Sequence, residues 1–336
     1  MSDSYKKLVA TSFSVDFRAA AEVVEEPIPE PASNEVVIKN KYAAVNATDV
    51  NITAGRYEPD AELPLPLDLG VEAAGVVVEV GTGVSHLAEG DAVITSTLGG
   101  GYREYNVERA GNAIGVPDAT PEALSIVVSG LTASIGLEEV GEMAHDETVL
   151  VTAAAGGTGH YAVQLAKIAG NHVIGTCSTD EKVELLSRIG CDRPINYETE
   201  DVREVLATEY DDGIDLVYES VGGALFDTCV EALARHGRLL SIGYISEYQD
   251  GPEAISRERI YTSLIPKSAS IRGVFLPHFR EHFSAHTKKL MRLQQDDTLE
   301  VFVDDQNFEG IDSIFDAVDY LHRGENRGKL VVRFPE

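Results

Sequence analysis

Gly157, Gly159 and Ala162 fall at the spacing G-x-G-x-x-G/A within AAAGGTGHYAVQLA, residues 153–166. Small residues so placed serve one chemistry, the gripping of a dinucleotide diphosphate by backbone N–H groups. The first glycine allows a tight turn, the second lets backbone approach the pyrophosphate, and the small third residue lets helix pack on strand. Amides at the start of the following helix then face the phosphates. This reading sets Ala155, Gly156, Gly157, Thr158 and Gly159 against the cofactor. The surroundings agree. Val149, Leu150 and Val151 form a short apolar run suited to a buried parallel strand. Ala162, Val163, Leu165 and Ala166 recur at helical spacing, and a second strand follows over His172–Thr176.

The end of that second strand decides which nucleotide fits. Sites that prefer NAD close it with an acid that grips the ribose 2′-hydroxyl. Here it runs into Cys177 and Ser178, and Asp180 lies in Ser178-Thr179-Asp180-Glu181. That tetrapeptide also reads as a helix N-cap, where acids are favoured for local reasons. Lys182 lies just beyond.

These residues need a scaffold, and the chain offers two kinds. Residues 5 to about 125 read as short strands (Lys6–Ala10, Glu35–Ala44, Glu72–Val80, Asp91–Thr95, Tyr102–Val107) punctuated by Pro and Gly. From Pro121 the pattern changes, with helical segments in Glu122–Val140. Strands then alternate with helices: Thr148–Thr152, His172–Thr176, Arg193–Asn196, Ile214–Glu219, Arg238–Ile242 and Ser270–Phe275. This is the order of a doubly wound parallel six-stranded sheet. An amphipathic helix (Phe279–Gln294), a second helix (Gly310–Arg323) and a closing strand (Lys329–Phe334) complete the chain. A finished six-stranded sheet has no place for that strand, so it belongs with the first domain. The expected division is 1–125 with 277–336 for the mainly-β domain, and 126–276 for the dinucleotide-binding domain.

Composition narrows the partners. The 336 residues are 43% hydrophobic and 25% charged, ordinary for a soluble globular chain of about two domains. No run of eighteen apolar residues and no leader peptide is present, so neither membrane nor export is expected. Cys177, Cys191 and Cys229 are too few for a disulfide framework and read as small buried residues of a protein from a reducing cytoplasm. Asp and Glu number 56 against 27 Lys plus Arg, a net charge of −29, which excludes direct nucleic-acid binding. Only ten of the basic residues are lysine, and the acids are spread along the whole chain. Such a surface suits a salt-rich cytoplasm, where screening is short-ranged.

An ordered series of motifs resembles one family. VNATD (Val45–Asp49), AGRYEP (Ala54–Pro59), LGVEAAGVV (Leu69–Val77), GDAV (Gly90–Val93), SGLTA (Ser129–Ala133), AAAGGTG (Ala153–Gly159), ESVGG (Glu219–Gly223) and NRGKLVV (Asn326–Val332) carry it over nearly the full length. They are similar to the zinc-independent medium-chain dehydrogenase/reductase superfamily, in its quinone-oxidoreductase and enone-reductase branch. Within that branch, TAAAGGTG (Thr152–Gly159), VIGTCSTDEK (Val173–Lys182), GCDRPINY (Gly190–Tyr197) and VYESVGG (Val217–Gly223) look most like the prostaglandin reductases. The resemblance implies a Rossmann domain plus a GroES-like catalytic domain, with NADPH as cofactor. It implies no metal, because Asn46 and Val71 stand where zinc-dependent relatives place a cysteine and a histidine.

The resemblance also supplies roles. Ser178, Lys182 and Tyr197 match positions that hold the 2′-phosphate, with Asn326 from the C-terminal motif. Thr132 matches the residue that meets the nicotinamide ribose or amide. Ser220, Val221, Gly243 and Phe275 complete the expected cofactor contacts. Tyr57 matches a proton-donating tyrosine of related enoyl-thioester reductases, Asn46 offers an amide donor, and Tyr244 is the reserve donor. The leading expectation is NADPH-dependent reduction of the C=C bond of α,β-unsaturated ketones or enoyl compounds. Quinone reduction, enoyl-CoA reduction (with Lys267, Arg272 and Arg280 for the CoA phosphates) and a non-catalytic NADPH-binding role are the alternatives. A homodimer through the edge strand Ser270–Phe275 is expected from the family.

Overall fold

The structure, a computed structural model, describes residues 4–57, 64–249, 251 and 258–335; Glu58 and Pro59 of AGRYEP lie outside them. The chain forms two compact units, Met1–Val128 with Val303–Glu336, and Ser129–Phe302.

Unit 1 holds β1 (Ser4–Ala10), β2 (Ala21–Pro27), β3 (Glu35–Val45), β4 (Leu67–Asp68), β5 (Ala73–Val80), β6 (Ala92–Thr95), β7 (Tyr105–Arg109) and β8 (Ile114–Gly115). β1 lies between β2 and β4 in a small sheet, while β3, β5, β6 and β8 form the body of a larger one. The β-branched run of β3 is what anchors it: Val36 and Ile38 pack with Val77, Val93, Ala110 and Ala113 in one buried cluster. β3 and β5 pair antiparallel with two register shifts, and Gly75 stands opposite Asn40. A Cβ at Gly75 would come within 2.4 Å of the Lys39 carbonyl oxygen, which explains the glycine of LGVEAAG.

Unit 2 holds β9 (Thr148–Val151), β10 (His172–Cys177), β11 (Arg193–Asn196), β12 (Ile214–Glu219), β13 (Leu233–Ser241) and β14 (Ser270–Gly273). All pair parallel, in the order β11-β10-β9-β12-β13-β14. The order reverses between β9 and β12, and crevices for ligands open beyond the carboxyl ends of strands at such a point. β13 starts five residues before its expected onset at Arg238, because the pairing passes through an irregularity that places His236 at φ 68°. The chain then re-enters unit 1, where β15 (Leu330–Arg333) pairs antiparallel with β3.

The boundary expected at 276/277 falls instead after Phe302. Specific bonds hold the intervening segment to unit 2. His286, on the helix Phe283–Gln295, lies 2.7 Å from Ser134 Oγ. Gln164 and Glu300 exchange two hydrogen bonds of 2.8 Å, and Phe302 N donates to His160 Nε2 at 3.3 Å. One helix among the described residues, Pro121–Val140, is long and apolar enough to cross a membrane; 72% of its apolar window is buried, as in the core helix of a folded domain. The three cysteines are buried. Burial pushes the Cys177 thiol up to about 11 and that of Cys191 up to about 12, and raises Cys229 well above its ordinary value.

Candidate functional site

In unit 2 the expected cofactor residues converge on one edge of the sheet. Residues 152–159 follow β9, Ser178 to Lys182 follow β10, and Tyr197 follows β11. Ser220 and Val221 follow β12, Gly243 and Tyr244 follow β13, and Phe275 follows β14. All therefore stand at carboxyl ends of parallel strands. Thr132 is half-buried on the helix Leu131–Ile135.

The glycine-rich turn is built differently from the expectation. Its left-handed residue is Ala153, at φ 47°, not a glycine. A Cβ at Gly159 would lie 2.3 Å from the Ala153 carbonyl oxygen, so that glycine is required by the close approach of helix to strand. No side chain caps the helix Gly159–Ile168, and His160 N donates to the Gly156 carbonyl at 3.2 Å. His160, which the motif reading passed over, secures the turn. Its Nδ1 hydrogen goes to the Gly156 carbonyl at 2.9 Å, while Nε2 accepts from Phe302 N.

At the end of β10, Lys182 Nζ donates to Ser178 Oγ at 3.4 Å, and Thr179 Oγ1 caps the helix by accepting from Lys182 N. Asp180 accepts from Asn196 Nδ2 at 2.8 Å, and Tyr197 N donates to the Cys177 carbonyl. Asp180 is thus a helix-start residue with a local partner. Beyond β12, the buried carboxylate of Glu219 accepts from the N–H groups of Val221 (2.7 Å) and Gly222 (2.9 Å), and burial raises its pKa. Ser220 N donates to Thr152 Oγ1, and the Ile245 and Ser246 amides donate to the Ser220 and Val221 carbonyls. These bonds tie the loops after β9, β12 and β13 together. Ser220 Oγ, buried and without a hydrogen-bond partner among the described residues, is the kind of orphaned group that a bound nucleotide would satisfy. A helix start without a side-chain cap, the Ser178–Lys182 pair and this hydroxyl fit a phosphorylated dinucleotide.

Unit 1 carries two of the three expected catalytic residues, Asn46 and Tyr57, while Tyr244 belongs to unit 2. Leu330 pairs with Val45 across β15 and β3, which sets Lys329 opposite Asn46, and Ala73 of β5 pairs with Ala43, which brings Glu72 to the same place. Lys329 Nζ donates to Glu72 Oε1 at 2.5 Å and to Asn46 Oδ1 at 2.6 Å. Asn46 Nδ2 donates to Glu72 Oε1 at 2.9 Å and to the Ala44 carbonyl at 3.3 Å. Glu72 is 0% and Lys329 2% exposed. Asn46, expected to donate to cofactor or substrate, gives both its amide hydrogens to partners inside the unit. The donor set here, an amide, the Val71 side chain and a carboxylate already holding an ammonium, does not fit zinc. Neither Glu72 nor Lys329 was singled out from the sequence, although both stand inside quoted motifs. Asn326 also lies in this unit, with its amide given to the Gly328 carbonyl.

Asp49 adjoins the cluster, accepting from Tyr102 Oη at 2.5 Å and from Asn46 N at 2.8 Å. Burial pushes it from 3.8 up to about 7. Between those values the unfolded chain loses a proton that the fold retains, so the stability contributed by this residue falls as pH rises through that window. In Asp49→Asn, the stability difference from the parent chain should shrink from pH 4 to pH 7 and then stay level; urea titrations across that range check it. Nearby, the half-exposed Tyr57 places its phenol oxygen 2.6 Å from Thr48 Oγ1 and accepts from Asn51 Nδ2 at 3.1 Å. Arg56 holds Asn51 Oδ1 at 2.7 Å. Tyr244 is also partly exposed and stacks edge-on against Tyr248. The basic groove envisaged for CoA phosphates loses two members: Arg272 is engaged by the Val140 carbonyl and Glu142, and Lys267 by the Glu231 carbonyl.

Comparison with known proteins matches residues 157–293 to the family described as zinc-binding dehydrogenase and residues 32–118 to the alcohol dehydrogenase GroES-like domain. Prostaglandin reductase-3 of Mus musculus is 46% identical over 98% of this chain and 89% of its own length. A probable quinone oxidoreductase of Leishmania amazonensis is 42% identical over 98% of both. The structure of Escherichia coli quinone oxidoreductase complexed with NADPH superposes with a TM-score of 0.84 at 28% identity, covering 98% of this chain and 99% of that one.

Proposed function

The chain belongs to the medium-chain dehydrogenase/reductase superfamily, in its quinone-oxidoreductase and enone-reductase branch, and on that premise we propose that it reduces the C=C bond of α,β-unsaturated ketones or related enoyl compounds. It is an NADPH-dependent reductase. The observation that carries the choice of substrate is the Tyr57 phenol, partly exposed and held between Thr48 and Asn51.

When bound, NADPH supplies a hydride to the β-carbon of a conjugated carbonyl. The resulting enolate needs a proton at the α-carbon. Tyr57 is proposed to give it. The Asn51 amide, and the Thr48 hydroxyl once it turns, both donate to the oxygen left behind, while Arg56 keeps Asn51 oriented. Ser178, Lys182 and Tyr197 are assigned the 2′-phosphate, Ser220 and Val221 the adjoining part of the nucleotide, and Thr132 the nicotinamide end. Tyr57→Phe should lower enone turnover about 10²- to 10⁴-fold and leave NADPH affinity unchanged; steady-state rates with a panel of 2-alkenones check it. Undiminished turnover would move the proton to Tyr244 or to water.

Quinone reduction is the second reading, supported by the 42% identity to the Leishmania protein. It needs no particular acid, so a Tyr57→Phe chain that keeps quinone turnover while losing enone turnover would show both activities in one site.

We also propose a salt-rich cytoplasmic setting and a homodimer. The charge of −29 supports the first, as do basic residues that each answer two acids: Lys7 with Glu26 and Asp68, and Arg193 with Glu200 and Glu209. Activity and melting temperature should rise with KCl into the molar range; full activity at low salt would count against this setting. The edge position of β14 supports pairing with a second copy, which would cover its open side.

A further inference from the structure

We propose that Glu139, His282 and His286 form a binding site for a divalent transition-metal ion of the zinc class. The resemblance implies no metal, yet the fold of unit 2 brings two imidazoles and a carboxylate together. His282 and His286 stand four residues apart at the start of the helix Phe283–Gln295, so both rings lie on one face. Glu139 comes from the π-helical turn Gly136–Val140, a type of turn common at functional sites. Glu139 Oε1 is 3.1 Å from His286 Nε2 and 3.4 Å from His282 Nδ1, and all three atoms lie within 4.8 Å of one another. A tetrahedral ion with ligands at about 2.0–2.1 Å holds its donors roughly 3.3 Å apart. Two of the three separations already suit it.

The surroundings orient the donors as a metal site requires. His286 is 5% exposed, and its Nδ1 lies 2.7 Å from Ser134 Oγ, which is itself 3.3 Å from Glu138 Oε1. Lys289 pairs with that same Glu138 oxygen. In the tautomer that donates Nδ1–H to Ser134, whose own hydrogen goes to Glu138, the Nε2 lone pair faces the Glu139 carboxylate at 3.1 Å, the orientation in which both can bind one cation. His282 and Glu139 are about a third exposed, which provides a path of entry and a position for water. Glu281, 3.8 Å from His282 Nε2, adds outer negative charge. Binding would clip the helix Phe283–Gln295 to the helical segment 131–140. It would serve structure, tying together two segments of unit 2.

The test uses the full chain, free of any histidine tag and stripped with chelator, in molar KCl. Titration with Co²⁺ should give the visible bands of a tetrahedral site at one equivalent, and dialysis against Zn²⁺ should retain one ion per chain. Melting temperature should rise when the ion is in about hundredfold excess over its Kd. His282→Gln and Glu139→Gln, both at partly exposed positions, should abolish the bands and the shift while binding NADPH as before. Absence of stoichiometric Co²⁺ or Zn²⁺ in the parent chain, or equal retention by both variants, overturns the proposal.

Discussion

Lys329→Met lowers the free energy of unfolding by about 3–5 kcal/mol, the expected cost of removing one partner from a buried ion pair. The ammonium meets Glu72 Oε1 and Asn46 Oδ1 in a place where neither charge touches water. Without it, the Glu72 carboxylate keeps the Asn46 amide, and its second oxygen has no hydrogen-bond partner among the described residues. The loss should appear as a lower urea midpoint for unit 1 in KCl buffer. Glu72→Gln introduced into the Lys329→Met chain should recover part of it, because the uncompensated charge is then gone. A midpoint unchanged in the single variant would mean that the pair is open to solvent. The strand ends that face one another here are tied by a lysine–carboxylate–amide cluster.

Lys182→Glu should weaken NADPH by about a hundredfold or more and leave NADH nearly unaffected, so that the preference between the two reverses. A charge-assisted hydrogen bond is worth about 1.5–3 kcal/mol, or roughly 10- to 150-fold, and the introduced carboxylate adds repulsion of the 2′-phosphate. In a chain of net charge −29, one lysine beside Ser178 at the end of β10 has unusual leverage. Lys182→Met should show the loss without the repulsion. Fluorescence titration with both nucleotides measures it; an unchanged ratio of affinities would place the 2′-phosphate elsewhere.

The parts of this molecule legible in advance were those carried by local pattern. Apolar runs, helical spacing and turn residues marked all six strands of the parallel sheet, and the glycine spacing marked the turn after the first of them. What escaped was long-range. Glu72 and Lys329 are 257 positions apart and become partners only through the pairing of β15 and β5 with β3. The four-residue spacing of His282 and His286 was readable, but Glu139, which makes it a cluster, arrives from another helix. In the turn, chemistry and shape had been assigned together; Gly159 is required by the chain's own backbone at Ala153, and the left-handed bend needed no glycine at all.

The buried cysteines gain meaning beside the proposed substrates. Conjugated enones are Michael acceptors that alkylate thiolates, and only an ionised, accessible sulfur reacts readily. Cys177, Cys191 and Cys229 are sheltered and held in the unreactive thiol form by their apolar surroundings. The chain thus presents no reactive thiolate to electrophiles of the proposed class, and repeated turnover of them need not poison it.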